Sequence, residues 1–448
     1  MQKSIRLPHP IVLLLGAVMF AALLTWILPA GEYSRQTDAA TGRQVVMAGT
    51  YHTVQSTPVG PLAAVVAIPR GFIEGGDVVI VILLAGGAFV LLDSLGVLRR
   101  AVGALTGRLK SRGLWAIPVV SLFFYAMGGL ENMQEEIIAL VPVLLVLARG
   151  IGVDALTAVA ISAGSAMAGS AFSPINPFQA GIALKLAELS PAAGGALRTV
   201  MFAVAFVVWV AYTLRYAMRN RVEVEAVANA EGEKFTARDV VMLLAVLGPV
   251  LIYVYGALKF DWGFNELSAG FLIGGIVAGA VGRLGVAGTT SVFLKGMEAL
   301  LPAALLIAVA RSISVVLRDG HIIDTILHSL ATPLNNAPAS IAALLMIPFH
   351  MIVHVPVPSV SGQAVLTMPL LVPLSDLLGI SREATVLAFQ TGAGLTEMLT
   401  PTNGALMAVL LTAGVSFQKW LRFAIVGFLL MLAIGVAGIL TVTAAGVH

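Results

Sequence analysis

Long apolar runs alternate with short polar connectors along the whole chain. A bilayer-spanning helix needs about 20 apolar residues. On that length the pattern predicts spanning helices at 10–29, 77–97, 154–190, 197–217, 239–258, 267–283, 298–317, 383–414 and 420–444, with 154–190 and 383–414 broken. Two further apolar stretches, 114–149 and 337–379, are too long for one span, and each carries a polar knot. The first knot runs Gly128-Gly129-Leu130-Glu131-Asn132-Met133-Gln134-Glu135-Glu136, and the second runs Pro356-Val357-Pro358-Ser359-Val360-Ser361-Gly362-Gln363. Glycine, proline and hydroxyl residues interrupt a membrane helix, and the freed backbone groups need protein or water partners at that depth. Both stretches are therefore predicted to be re-entrant hairpins. The expected class is an all-α polytopic membrane protein; a transmembrane barrel would show short alternating strands instead.

Composition narrows the function. Of 448 residues, 58% are hydrophobic and 11% charged, against roughly 25% charged in a soluble domain. Mean hydropathy is +0.97. A soluble enzyme, a disordered chain and a fibrous protein are excluded. A net charge of +3 gives no case for nucleic acid. With no cysteine, disulfides, thiol catalysis and thiolate metal sites are ruled out. No Walker A motif is present, so ATP does not drive the chain directly. The first apolar run, Ile11 to Leu28, exceeds a typical signal-peptide core and has no A-x-A-like site after it, so it reads as a retained helix.

Positive charge sets the expected orientation. Lys3, Arg6, Arg99, Arg100, Arg108, Lys110, Arg112, Arg149, Arg215, Arg219, Arg221, Lys234, Arg238, Lys419 and Arg422 all fall on, or at the edges of, connectors that nine spans and two hairpins place on one side. The positive-inside rule makes that side cytoplasmic. The N-terminus is then cytoplasmic, the C-terminus outside, and segment 30–60 a polar external connector. The first hairpin opens from the cytoplasm and the second from outside.

An internal repeat adds the most. Pro142 and Pro369, Gly152 and Gly379, Pro174 and Pro401, and Asn176 and Asn403 are each 227 positions apart, as are Ser173 and Thr400. An odd number of spans separates the halves, so the repeat is expected to be inverted. Inverted repeats with broken helices in matching positions point to the binding site of a secondary transporter. The implied division is 1–70, an N-terminal scaffold helix and external loop; 71–220, the first repeat; 221–290, a linker and scaffold helices; and 291–448, the second repeat.

The chemistry-bearing residues sit at the breaks and hairpin tips. Ser173-Pro174-Ile175-Asn176-Pro177 must unwind, because its prolines lack amide donors. Unwound carbonyls with Ser173, Asn176 and Gln179 can coordinate a cation or polar ligand, and the following half-helix points its positive end into the same space. Thr400-Pro401-Thr402-Asn403 does the same from the other half. The plainer alternative is a proline kink with its hydroxyls bonded to the preceding turn. Tip one brings Glu131, Asn132, Gln134, Glu135 and Glu136 to membrane depth, where ionised side chains are costly and are functional candidates. Tip two offers Ser359, Ser361 and Gln363, the last in register with Glu136. Glu397 lies one turn before the second break. Substrate contacts are expected from Asn132, Gln134, Ser173, Asn176, Ser359, Ser361, Gln363, Thr400, Thr402 and Asn403. Ion or proton coupling is expected from Glu131, Glu135, Glu136 and Glu397, with Asn176 and Asn403 the positions for Na⁺. Arg311 reads as structural or interfacial, and His350 and His354 share a helical face. No H-E-x-x-H or G-x-S-x-G is present, so an intramembrane enzyme is disfavoured, and the hairpins favour alternating access over a channel pore.

Three runs carry a family resemblance over nearly the whole chain. They are Ser173-Pro174-Ile175-Asn176-Pro177-Phe178-Gln179-Ala180-Gly181, the run from Pro358 through Ser361-Gly362-Gln363 to Pro369, and Leu399-Thr400-Pro401-Thr402-Asn403-Gly404. They resemble the YfcC family of the ion transporter superfamily, near the anaerobic C4-dicarboxylate carriers and the arginine/ornithine antiporters. The resemblance implies a bacterial inner-membrane secondary carrier, working as a homodimer by an elevator mechanism. Tip one is more acidic than the Ser-Asn-Thr tip of dicarboxylate carriers. Coulomb attraction would draw a cationic group toward Glu131, Glu135, Glu136 or Glu397. The expected function is secondary transport of amino acids or small carboxylates, coupled to Na⁺, H⁺ or substrate exchange, with C4-dicarboxylate transport the alternative.

Overall fold

A computed structural model describes residues 10–39, 44–98, 100–101, 104, 110–223, 235–260 and 262–444. Lys3, Arg6, Arg99, Arg108 and Lys234 lie outside the described residues. Helix α1 (Pro10–Ile27) leads into a segment with four short strands. β1 (Gly31–Glu32) pairs antiparallel with β4 (His52–Thr53), and β2 (Arg35–Thr37) with β3 (Gln44–Val46). The polar composition of 30–60 had concealed them. They persist because the segment is anchored far along the chain: Arg35 bonds both Asp324 oxygens at 2.9 and 3.0 Å, and Tyr51 stacks on His328 at 4.1 Å.

Next come α2 (Pro61–Glu74) and α3 (Gly76–Ser94). Helix α2, absent from the predicted spans, is short and opens on a proline at its first position, where no amide donor is needed. The stretch expected as hairpin one, and so labelled, is α4 (Ala116–Glu131) and α5 (Glu135–Ile151), interrupted at residues 132–134. The first broken helix is α6 (155–172) and α7 (177–186), with π turns at Ala160–Gly164 and Pro177–Gly181. Then follow α8 (Gly195–Arg219), α9 (Ala237–Phe260), α10 (Phe264–Gly282) and α11 (Gly285–Asp319). At 35 residues, α11 is longer than the span predicted at 298–317 and runs through the division drawn at residue 290. A short helix, α12 (Ile323–Ala331), precedes hairpin two, which is α13 (Ala339–His354) and α14 (Val360–Leu378). The second broken helix is α15 (382–396), ending through a π turn at Gln390–Gly394, and α16 (Gly404–Thr412). Helix α17 (Phe417–Ala444) closes the chain.

Among the described residues, nine helices are long and apolar enough to cross a membrane. They include Gly113–Glu131 and Val360–Leu378, which are hairpin arms in the sequence reading. Length and hydropathy alone do not separate a re-entrant arm from a span. The chain is a multi-pass membrane protein.

The local devices recur at the 227-residue spacing. Gly152 and Gly379 both end a hairpin arm in the left-handed region, at φ 74° and 67°. Asp154 and Ser381 both cap the helix that follows. Asn176 and Asn403 both cap the half-helix after a break, and each accepts the amide three residues on. The packing falls into two groups. Helix α11 packs along α1, α2 and α3, and α10 packs on α3 and α9. On the other side, α4 packs on α6, α8 on α6 and α17, and α13 on α15. The two groups meet where α3 touches α5 and α11 touches α16. Gly86 and Gly296 face each other's backbone across α3 and α11, and Gly404 sits against Ala310, so both crossings depend on missing side chains.

Candidate functional site

Break one is held by hairpin one. Ser173 Oγ donates to Gly129 O at 2.6 Å and accepts the amides of Ile175 and Asn176 at 3.2 and 3.0 Å. Asn176 Nδ2 donates to Gly128 O at 2.9 Å, and its oxygen accepts two amides, from Phe178 and Gln179, at 2.9 Å each. Asn176 is fully buried. Both ends of its side-chain amide are thus engaged with backbone groups. Asn132 caps α4 at φ 60°, a conformation asparagine tolerates better than most residues. Its Oδ1 accepts from Ser170, whose hydroxyl also reaches Gln179. Break one and Asn132 of tip one form a self-satisfied cluster.

Break two is arranged differently. Thr402 donates to Val355 O at the end of hairpin two, and Thr400 bonds Thr402, both at 2.7 Å. Gln134 of tip one donates to Glu397 at 2.5 Å and accepts from Asn403 Nδ2 at 3.3 Å. Tip one therefore serves both breaks. Glu136 accepts the Gln134 amide at 3.1 Å. Glu135 and Glu136 lie in the first turn of α5, where the helix dipole favours carboxylates. Glu131 is buried, and neither carboxyl oxygen has a hydrogen-bond partner among the described residues.

A small cavity of about 60 Å³, open to the outside, lies between break two, tip two, tip one and α11. Its polar lining is Glu135, Arg311, Ser314, Ser359, Thr402 and Asn403, with Gly404 and Ala405 at the start of α16. Ile307 and Ala310 form the apolar wall. Arg311, read from sequence as structural or interfacial, faces this space. Ser173, Asn176, Ser361 and Gln363 are not among its lining residues. Ser359 accepts the Gly362 amide and caps α14, and Ser361 is half-buried in the first turn of α14. Gln363 turns instead toward His350 and His354. Its Nε2 donates to His350 O, and its Oε1 meets His354 Nδ1, both at 2.9 Å.

Chemically, the cavity is lined by the acidic Glu135 and the guanidinium of Arg311, together with hydroxyls and a half-helix N-terminus. Such a surface suits a small molecule carrying both signs of charge.

The sequence profile of the C4-dicarboxylate anaerobic carrier family matches residues 7–444. The chain belongs to that family. Among curated relatives, the Escherichia coli (strain K12) protein named "Putative basic amino acid antiporter YfcC" is 28% identical, over 93% of this chain and 92% of its own. An uncharacterized Haemophilus influenzae protein is 26% identical, over 96% of each chain. Two solved structures are also similar. The YdaH transporter of Alcanivorax borkumensis has 17% identity and a TM-score of 0.44, covering 96% of this chain and 98% of that one. Neisseria gonorrhoeae MtrF, titled an antimetabolite efflux pump, has 16% identity and a TM-score of 0.41, covering 97% and 94%. As a member of this family, the chain is a membrane transporter.

Two groups that matter to the breaks had no sequence signal. Arg198 and Gln390 are buried partners lying 192 residues apart. The only hint was a single arginine near the start of an apolar run.

Proposed function

We propose that this carrier is a secondary active transporter of amino acids, with basic amino acids the favoured substrates, working in the bacterial inner membrane. The cavity beside break two carries this reading. Arg311 and the first amides of α16 suit an α-carboxylate. Glu135, with Glu131, Glu136 and Glu397 behind it, suits ammonium and guanidinium groups. A C4-dicarboxylate would use Arg311 and the helix end but would meet Glu135 as a like charge.

The cavity lies between α11 of one packing group and the hairpins and broken helices of the other. That placement supports an elevator cycle, in which the hairpin group slides against α11 and carries the substrate with it. Excess carboxylates around tip one supply places for H⁺ or Na⁺ as the coupling ion, and exchange of one amino acid for another needs no ion at all. A homodimer built on the α1–α3 and α9–α11 group would hold α11 still.

The test is counterflow in proteoliposomes, comparing labelled arginine with labelled succinate, with and without Na⁺. Arginine uptake into arginine- or ornithine-loaded vesicles is expected. Uptake of succinate alone would replace the substrate assignment and make Arg311 and the α16 terminus the main ligands. Failure of both would reject both substrate classes.

A further inference from the structure

Arg198 lies in the first turn of α8 and is 3% exposed. A guanidinium so deep needs bonded partners. Its Nε and Nη2 both donate to Gln390 Oε1, at 3.2 and 2.5 Å. Arginine can only donate, so the Gln390 oxygen is fixed toward α8. The amide nitrogen is then fixed the other way, where it donates to Ser173 O at 2.9 Å and lies 3.5 Å from Ala171 O. These carbonyls end α6 at break one. Pro174 and Pro177 bring no amide donor to the break, and an unpaired carbonyl at that depth is costly. The main-chain oxygen of Gln390 also accepts from Gln179 Nε2 at 3.3 Å, on the far side of the break. Gly394, in the same π turn, packs against Ala171 and Gln179. The π turn of the second broken helix is thus threaded against break one, and π turns recur at functional sites.

We propose that Arg198 is a positioning residue for break one. It orients the Gln390 amide, which holds the Ser173 carbonyl and so sets the shape of the 173–176 loop. Through Gln390 it also ties that loop to α15, the half-helix that leads to Glu397 and break two. This role rests on the transport reading for its consequence, because a misplaced break one would alter tip one and with it Gln134 at the cavity.

The absence of cysteine makes the test direct. Ile175, at the crest of break one, is 65% exposed. The full-length Ile175→Cys protein, purified in detergent, is labelled with N-ethylmaleimide, and the same protein is assayed for arginine counterflow. Gln390→Glu keeps an acceptor for Arg198 but has no donor for the Ser173 carbonyl. Arg198→Gln removes the clamp, and Arg198→Lys keeps one charged donor. We expect Gln390→Glu and Arg198→Gln each to change the labelling rate at position 175 about tenfold and to raise the counterflow KM by a similar factor, as for loss of one buried hydrogen bond. Arg198→Lys should restore most of both. Parent-like labelling and KM in either Gln390→Glu or Arg198→Gln would overturn the proposal, and so would an Arg198→Lys protein no better than Arg198→Gln. If Gln390→Glu fails to insert, the two Arg198 variants decide alone. A parent protein with no arginine counterflow would sink the substrate reading, while the labelling rates would still decide the role of Arg198.

Discussion

Break one and break two have the same local design and different surroundings. Each unwinds at a Ser/Thr-Pro, each restarts on an asparagine cap, and the caps lie 227 residues apart. At break one the side chains of Ser173 and Asn176 make their shortest bonds to backbone of hairpin one or of the break itself. At break two, Asn403 is held by longer bonds, at 3.3 and 3.4 Å, and it lines the cavity with Thr402 and Arg311. The difference comes from the neighbours. The helix leading to tip one packs on the helix leading to break one through close glycine contacts: Gly128 lies on Ala166 and Gly169 on Tyr125. Break two has α11 beside it, and α11 brings a cation and a gap. A repeated motif therefore marks where the chain unwinds without saying which copy meets the ligand.

The largest effect should come from the residue with no counterpart at break one. Arg311→Ala removes the only cation lining the cavity among the described residues and leaves Glu135 without its opposite charge. Arg311 is exposed in this structure, and what the variant loses is a charged hydrogen bond to the substrate, about 1.5–3 kcal/mol. Counterflow should therefore show a loss of apparent affinity of about tenfold or more, with folded yield unchanged. Normal exchange in Arg311→Ala would move the substrate away from break two.

The two asparagines should then separate. Asn176→Ala strands the amides of Phe178 and Gln179, the second fully buried, and takes one of two donors from the Gly128 carbonyl, which keeps the Asn132 amide. With about 1–3 kcal/mol at stake for each unpaired group, it should lower thermal stability and folded yield first. Asn403→Ala removes one cap, about 1 kcal/mol, and should fold well yet lose most transport. Thermal unfolding and counterflow on the same two preparations check both halves. Equal losses of stability would erase the distinction between the breaks.

Glu397→Gln should be milder. Its side chain still offers an oxygen to Gln134 Nε2, so stability should stay within about 0.5 kcal/mol of the parent. What should change is the dependence of counterflow on pH and Na⁺, because an intramembrane carboxylate beside a substrate cavity is a coupling candidate. An unchanged profile would make Glu397 a structural partner of Gln134.

Much of this arrangement could be read from residues alone, for a physical reason. Proline lacks the amide that a helix requires, and set among Ser, Thr and Asn at Pro174, Pro177 and Pro401 it announces a break, whereas Pro142, Pro302, Pro369 and Pro373 stand inside continuous helices. An apolar stretch too long for one crossing and knotted by Gly, Glu and Asn must be interrupted, so the gaps between α4 and α5 and between α13 and α14 were visible too. Arg311 was not assigned to the cavity because one cation in an apolar run carries no sign of what faces it. Arg198 and Gln390 were invisible as a pair, because side-chain contacts made across 192 residues leave no local periodicity. The strands at 31–53 were hidden likewise, since their anchors are Asp324, Thr325 and His328.

The smallest effect tests the caps upstream of each break. The first broken helix starts on Asp154 and the second on Ser381, so only the first cap can titrate. Burial alone would push the Asp154 carboxyl up. Hydrogen bonds from the Thr157 amide and hydroxyl, and then from Lys419, outweigh that and hold it below the usual aspartate value. A carboxyl depressed in the folded state contributes stability that is fully present above its unfolded pKa and lost as pH falls through the folded one. Asp154→Asn keeps an oxygen for Thr157 but drops the charge. It should cost under about 1 kcal/mol near neutral pH, and the gap to the parent should close as pH falls below 3.8, the ordinary aspartate value. Ser381→Ala, lacking a titrating cap, should show a deficit that does not vary with pH. Unfolding temperatures of the three proteins measured from neutral to acid pH would check this. A pH-independent deficit in Asp154→Asn would mean that the cap geometry, not the charge, holds the start of α6.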